Sequence, residues 1–395
     1  MGINADNFSE YEKEIHNMLR EIAKDLPDWE EISWFLKLAE NRLCDFSVER
    51  KKVFVLGTSL PDALFHSFGI FPVRLLGGSR KMAEVSDSSL PRDADAVIQA
   101  SYGFLSRVND KKSLVVVPLV NDNYRKAAYL LKRNGFNVYT AAVPPVKNEA
   151  TLAEWIRQME LLAERLSVYS GRRYSERRLK KAGRETAKAK RLLSVFDALA
   201  GTHPSEISSI FRMFLPFCYY LADDYAIWGE HLKALNRKLS EIKGNQGTDG
   251  VGILLMGSPV YFPNYKIPFL LQEAGISFGG NFIISDIREP YDGAGGFEAM
   301  CRTSFVNDSS PSYVRNDTLF VRTSEYLKKH PVRGVVYHVL KGQIEYDFEL
   351  ERFEQLFAKH NIPVIRLETD DSNQDVEQLR IRIEALSEIL RGGIA

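Results

Sequence analysis

The chain has 395 residues, 45% of them hydrophobic and 26% charged, with 52 Lys and Arg against 52 Asp and Glu. That composition excludes wholesale disorder, collagen and long coiled-coil arrays, and the zero net charge provides no global field for nucleic acid. No apolar run approaches the roughly 20 residues of a membrane span, and the acidic, helix-patterned N-terminus does not read as a signal peptide. Three scattered cysteines without a CxxC pair exclude a disulfide scaffold and lead to the expectation of a cytoplasmic protein.

In chain order, residues 1–52 read as helices. Phe8, Tyr11, Ile15, Met18, Leu19 and Ile22 recur at helical spacing, and Trp29, Ile32, Phe35, Leu36 and Ala39 continue it after Pro27. The period then changes. Val53–Leu56 is a short apolar run entering Gly57-Thr58-Ser59, and Val73–Leu76, Asp95–Ile98, Leu114–Val117 and Asn137–Val143 are further strand candidates. Asn123–Arg133 reads as a helix that stops at Asn134-Gly135. Short buried strands alternating with helices imply a parallel α/β unit over 53–150.

Residues 151–246 read as helical again. Leu152–Leu166 is amphipathic, the segment from Arg172 to Arg191 carries ten Lys or Arg and two Glu, and Ser205–Ile242 is rich in aromatics. From 247 to 395 the α/β pattern returns. Val251–Met256, Phe282–Asp286, Gly334–Val339 and Pro363–Leu367 are strand candidates. Pro268–Ala274, Ser324–Lys329, Leu350–His360 and Val376–Leu390 are helix candidates. The expected fold is α/β: two Rossmann-like or flavodoxin-like lobes with parallel sheets, plus N-terminal and central helices.

Standard chemical signatures are missing. The sequence has no GxGxxG opening a helix, no GxxxxGK[ST], no HExxH and no GxSxG, and the seven His form no spaced metal pair. In open α/β sheets ligands bind beyond the carboxyl ends of the strands. That rule points to Gly57-Thr58-Ser59, Asn121-Asp122-Asn123, Gly257-Ser258-Pro259 and His338–Glu345. A Gly-Ser-Pro turn after a strand can offer amides and a hydroxyl to an anion, while Asp122 and Ser258 would serve equally as caps of the next helix. The basic segment suits either a solvated face or the phosphates of a nucleotide or coenzyme A. The aromatic stretch from Phe211 to Trp228 suits core, a subunit interface or an apolar lining.

Several segments in order resemble the D-component of 2-hydroxyacyl-CoA dehydratases and the related subunits of benzoyl-CoA reductase. Pro61-Asp62-Ala63-Leu64 to Gly69, with Phe71-Pro72-Val73-Arg74-Leu75 and Gly77, is similar to the family's "PEEL…AAG..PVRL.G". Pro118-Leu119-Val120-Asn121-Asp122 resembles "P.tCD", and Gly257-Ser258-Pro259, Lys266 and Glu273-Ala274-Gly275 resemble the opening of the second lobe. The run from Gly334 to Gln343 resembles "GVI.H..KFC"; Ile362-Pro363 with Glu368-Thr369-Asp370, and Glu377 to Ala385, resemble "giP.l.lE.D" and "eQlrtRleAf". The resemblance implies two homologous subunits, an ATP-dependent activator, an acyl-CoA ligand and a [4Fe–4S] cluster held by three cysteines.

The departures bear on that implication. The family's cysteine positions correspond here to Ala100-Ser101, Asn121 and Gln343, whereas the cysteines present are Cys44 in the N-terminal helices, Cys218 in the aromatic helix and Cys301 in a loop. Amides and hydroxyls are poor substitutes for thiolates at iron–sulfur clusters. The second acid of the "PEE" motif is Ala63, so Asp62 alone remains. The expectation is therefore a chain without a cofactor of its own. It would bind substrate through Asp62, Ser101, Asn121, Ser258, His338 and Gln343, and dimerise with a cluster-bearing homologue or with itself. The alternatives are a stand-alone binding protein and a non-redox enzyme in the same cleft.

Overall fold

The computed structural model describes residues 5–44, 50–86, 89–91, 94–244, 252–279, 291–314 and 316–392. Helices α1 (Ala5–Ala23) and α2 (Glu30–Cys44) open the chain. The first lobe comprises β1 (Lys51–Leu56), α3 (Asp62–Ser67), β2 (Ile70–Leu75), α4 (Arg80–Ser86), α5 (Ala96–Val108), β3 (Leu114–Leu119), α6 (Asp122–Arg133) and β4 (Asn137–Ala142). Four helices follow: α7 (Glu149–Ser170), α8 (Glu176–Gly201), α9 (Ser209–Cys218) and α10 (Tyr225–Glu241). The second lobe comprises β5 (Ile253–Gly257), α11 (Lys266–Glu273), β6 (Phe278–Gly279), α12 (Phe297–Asn307), α13 (Asp317–Lys329), β7 (Gly334–Leu340), α14 (Ile344–Ala358), β8 (Val364–Thr369) and α15 (Val376–Gly392).

Both sheets are parallel, with orders β2-β1-β3-β4 and β6-β5-β7-β8, so the expected pair of parallel α/β lobes is what the chain forms. Successive strand side chains point to opposite faces. Phe54 and Leu56 of β1, and Ile253 and Leu255 of β5, therefore enter one core shared with the aromatic helices, where Phe211, Phe214, Tyr219 and Trp228 are buried. Val53 and Val55 face the opposite way onto α3 and α7, and Leu254 and Met256 face Leu319 and Phe353. The aromatic stretch is thus the packing layer between the lobes. Full burial of each such ring contributes about 1.5–3 kcal/mol.

The structure corrects two sequence expectations and divides a third segment. Asp95–Ile98 is not a strand: Asp95 caps α5, its carboxylate accepting from the Val97 amide at 2.8 Å. An acid before a short apolar run is compatible with both, and the continuation to Val108 decides for helix. Cys301 lies inside α12, not in a loop, and is buried. The stretch from 205 to 242 divides into α9, a tight turn at Tyr219–Leu221 and α10, whose start Asp224 caps by accepting from Ala226 and Ile227. Pro216, which has no amide hydrogen to give, stands two residues before α9 ends. The strand expected at 282–286 lies outside the described residues.

Candidate functional site between the lobes

The strand order reverses between β1 and β3 and again between β5 and β7, and the carboxyl ends at these two switch points meet. From the first lobe come Asp95, opening α5, and Asn121, opening α6. From the second come Gln343, after β7, and Glu345, in the first turn of α14. The Gln343 amide donates to the Asp95 carboxylate at 3.2 Å, and the Asn121 amide donates to Glu345 at 3.0 Å. Asn121 also caps its own helix, accepting from the Tyr124 amide at 3.2 Å. The Ala96 amide donates to the Lys341 carbonyl at 3.3 Å, and Ala96, Val97 and Leu340 form a small apolar seal beside it.

Gly342 makes this approach possible. Its φ is +86°, and a β-carbon there would lie 2.6 Å from the Asp95 amide nitrogen and α-carbon. Asp95 is almost fully buried. Burial raises its carboxyl to about 7, the Glu345 charge adds to the rise, and the hydrogen bonds from Val97 and Gln343 oppose it. The Gln343 carbonyl oxygen is buried without a hydrogen-bond partner. Along the junction runs a groove of about 340 Å³, lined by Arg80, Glu84 and Gln99 from one lobe and Lys341, Asp371 and Ser372 from the other. That volume is within the range of small-ligand sites.

The site residues expected from the sequence divide into three groups. Asn121 and Gln343 come together at the junction. Ser258, immediately after β5, sits beside His338 of β7: the Ser258 amide donates to the His338 carbonyl at 2.7 Å, and the Leu340 amide donates to the Ser258 hydroxyl at 2.9 Å. The His338 ring has Nδ1 2.9 Å from the Ser258 carbonyl and Nε2 2.7 Å from the Thr369 hydroxyl. Burial lowers its pKa to about 4, so it is neutral at pH 7 and braces three strand ends. The adjoining cleft at His338, Thr369 and Asp371 has only about 10 Å³ of free space.

Ser101 and Asp62 lie elsewhere. Ser101 is on the face of α5 that lines an apolar pocket against β1. Asp62 is buried in an ion pair with Arg74 at 2.5 Å and accepts from the Tyr219 hydroxyl at 3.2 Å. Its burial favours the neutral acid, but the Arg74 guanidinium together with the nearby Lys190 and His66 outweighs this and holds the carboxyl below its ordinary value. Arg74 also donates to the carbonyls of Gly57 and Leu60, so the group ties β2 to the end of β1. Sequence reasoning missed Asp95 and did not single out Glu345. The signal for both was local: an acid immediately before, or in the first turn of, a helix that follows a turn.

The basic segment forms the start and middle of α8. Lys180, Lys181 and Lys188 pair with Glu176, Glu185 and Glu230, and Arg178 donates to the Ser67 carbonyl. Lys190 lies 5.4 Å from the Tyr219 ring centre.

An iron–sulfur cluster requires soft thiolate ligands. The groups brought together at the junction are two carboxyls and two amides. Cys218 is buried among the aromatic helices, Cys301 is buried in the separate core behind the first sheet, and Cys44 packs at the end of α2. Burial raises all three thiols above their ordinary pKa, opposite to what a metal thiolate needs. Among the described residues no three His, Cys, Asp or Glu side chains are grouped to hold a metal ion. The junction residues do not fit a [4Fe–4S] cluster.

With this geometry in place, comparison with known proteins gives the class. The profile of the family described as 2-hydroxyglutaryl-CoA dehydratase, D-component, matches residues 58–390, and the chain belongs to that family. It is 25% identical over 356 residues to a protein of Escherichia coli (strain K12) named as a dehydratase subunit, YjiM, covering 84% of this chain and 90% of that one. It is 20% identical over 348 residues to the (R)-phenyllactyl-CoA dehydratase beta subunit of Clostridium sporogenes, covering 84% and 89%. Among the described residues no helix is long and apolar enough to cross a membrane.

Proposed function

We propose that this chain is a cluster-free subunit of a 2-hydroxyacyl-CoA dehydratase-like or benzoyl-CoA reductase-like complex. It shapes an acyl-CoA site and supports a homologous partner subunit that carries the [4Fe–4S] cluster, to which an ATP-dependent activator would deliver electrons. The observation that carries this reading is the meeting of Asp95, Asn121, Gln343 and Glu345 where the two lobes' strand ends converge. Carboxyls and amides there can bind water or a carbonyl and exchange a proton, with each neutral hydrogen bond contributing about 0.5–1.5 kcal/mol net. They cannot cycle one electron. Family membership and the subunit names of both relatives support a role inside an assembly.

The test is anaerobic co-purification of the chain with its candidate partner, measuring iron and subunit masses together. The expected result is a heterodimer whose iron stays with the partner when the two are separated. Iron that stays with this chain contradicts the reading.

A second reading is a non-redox enzyme or stand-alone binding protein that uses the same junction. It is favoured by Asp95 alone, whose carboxyl is poised near neutrality as a proton-transferring group would be. Isolation as a homodimer that binds no CoA ester would favour the stand-alone form.

A further inference from the structure

Past the carboxyl end of β1 lies a separate pocket of about 80 Å³, bounded by Thr58 and Ser59 on one side and by α12 on another. None of the junction residues Asp95, Asn121, Gln343 and Glu345 lines it. Four of its polar side chains are uncommitted. The hydroxyls of Thr58, Ser59 and Thr303 and the side-chain amide of Asn307 make no hydrogen bond to any described residue. All four residues are only partly buried, and none of these polar atoms is sealed from solvent. A hydroxyl on a helix often bonds back to a carbonyl one turn earlier. Two neighbours in the same pocket do so: Thr186 donates to the Gly183 carbonyl at 3.0 Å and Ser304 to the Cys301 carbonyl at 3.0 Å. Thr303 does not.

We infer that this pocket binds a neutral small molecule carrying several hydroxyl groups, a polyol or the hydroxyl edge of a sugar. A Ser or Thr hydroxyl both donates and accepts, and an Asn amide does each through a different atom, so this set matches ligand hydroxyls, which also do both. Because the free groups come from two elements, the turn after β1 and α12, two hydroxyls of one ligand can be held at once. The charge around the pocket argues against an ion. Asp62 and Asp308 line it with Lys190, and Arg74 backs Asp62, so two acids stand against two bases. The acids are engaged: Asp62 accepts from Arg74 and the Tyr219 hydroxyl, and Asp308 from the Ser310 amide at 2.9 Å and the Tyr313 hydroxyl at 3.3 Å. An ionic ligand of either sign would meet a like charge. The rings of Tyr220 and Tyr291 supply apolar wall for the carbon skeleton. The inference does not depend on the cluster-free reading, since it concerns a pocket outside the junction and is read by binding alone.

The test is titration of the full chain, followed by saturation-transfer NMR, with erythritol and ribose as probes and propan-1-ol, glycerate and 2-aminopropane-1,3-diol as controls. Erythritol, ribose or both should bind at one site, and which of them does tells an open-chain polyol from a sugar ring. Ser59→Ala and Thr303→Val, one from each element, should each weaken that binding roughly two- to tenfold while circular dichroism stays unchanged. Thr58→Val replaces either variant that fails to fold and carries the same expectation. The single-hydroxyl control and the two charged controls should bind at least roughly tenfold more weakly than the better probe. The inference is overturned if neither probe binds, if the folded variants bind as the wild type does, or if any control binds as well as the better probe.

Discussion

Gln343 follows β7 in the second lobe, Asp95 precedes α5 in the first, and the Gln343 amide donates to both carboxylate oxygens of Asp95, at 3.2 and 3.4 Å. The contact joins residues 248 positions apart in the chain. It closes the place where two sets of strand ends converge, and it does so with an acid that holds its proton more tightly than an ordinary aspartic acid.

That preference gives stability a definite pH dependence. In the unfolded chain Asp95 titrates near about 3.9, and in the folded protein at about 7. The folded state therefore holds the proton more tightly. Its stabilising effect is complete below pH 4 and is lost as pH rises from there through 7, with a slope of at most about 1.4 kcal/mol per pH unit. Asp95→Asn keeps the cap and the Gln343 bond but removes the titration. Denaturation of both proteins from about pH 4 to about pH 9 should show the variant gaining on the wild type up to about pH 8 and running parallel above that. Parallel curves throughout would refute the assignment.

Gly342 controls how closely the lobes approach. Gly342→Ala places a methyl group 2.6 Å from Asp95 backbone atoms at a φ of +86°, where L residues are strained by roughly 1–2 kcal/mol before any clash. The variant should lose 2 kcal/mol or more (a rough figure, adding strain and overpacking) and show a larger radius of gyration by solution scattering. Unchanged stability and radius would mean that the lobes do not meet as described.

The sequence carried the lobes well and the junction in part. Buried parallel strands alternating with helices are visible because each is a short, bounded apolar run. Asn121 and Gln343 were legible because both follow strands, and strand ends are where such sheets bind. Asp95 was not, because Asp95–Ile98 has the letters of a strand and only its cap bond to Val97 and the ten residues after Ile98 make it a helix. Ser101 and Asp62 were placed with the junction, yet a helix has two faces and an acid has whichever partner folding brings. For Asp62 that partner is Arg74 on β2.

The Asp62–Arg74 pair should therefore behave as structure. Removing one partner of a buried pair leaves an uncompensated charge and costs about 3–5 kcal/mol. Asp62→Ala should lose stability on that scale. The double variant Asp62→Leu with Arg74→Met should lose less, retaining the cost of the Gly57 and Leu60 carbonyls left without their donor and of the Tyr219 hydroxyl left without its Asp62 acceptor. A fully stable Asp62→Ala protein would instead leave Asp62 free to serve a ligand.

The central claim is that this chain does its work without a cluster of its own, and its most direct test is reconstitution of the purified chain alone. Under anaerobic conditions with excess iron and sulfide, then desalting, the account predicts close to zero bound iron per chain and no turnover of 2-hydroxyacyl-CoA when activator, ATP and reductant are added. About four irons per chain, or turnover on the order of 1 per second, would contradict it.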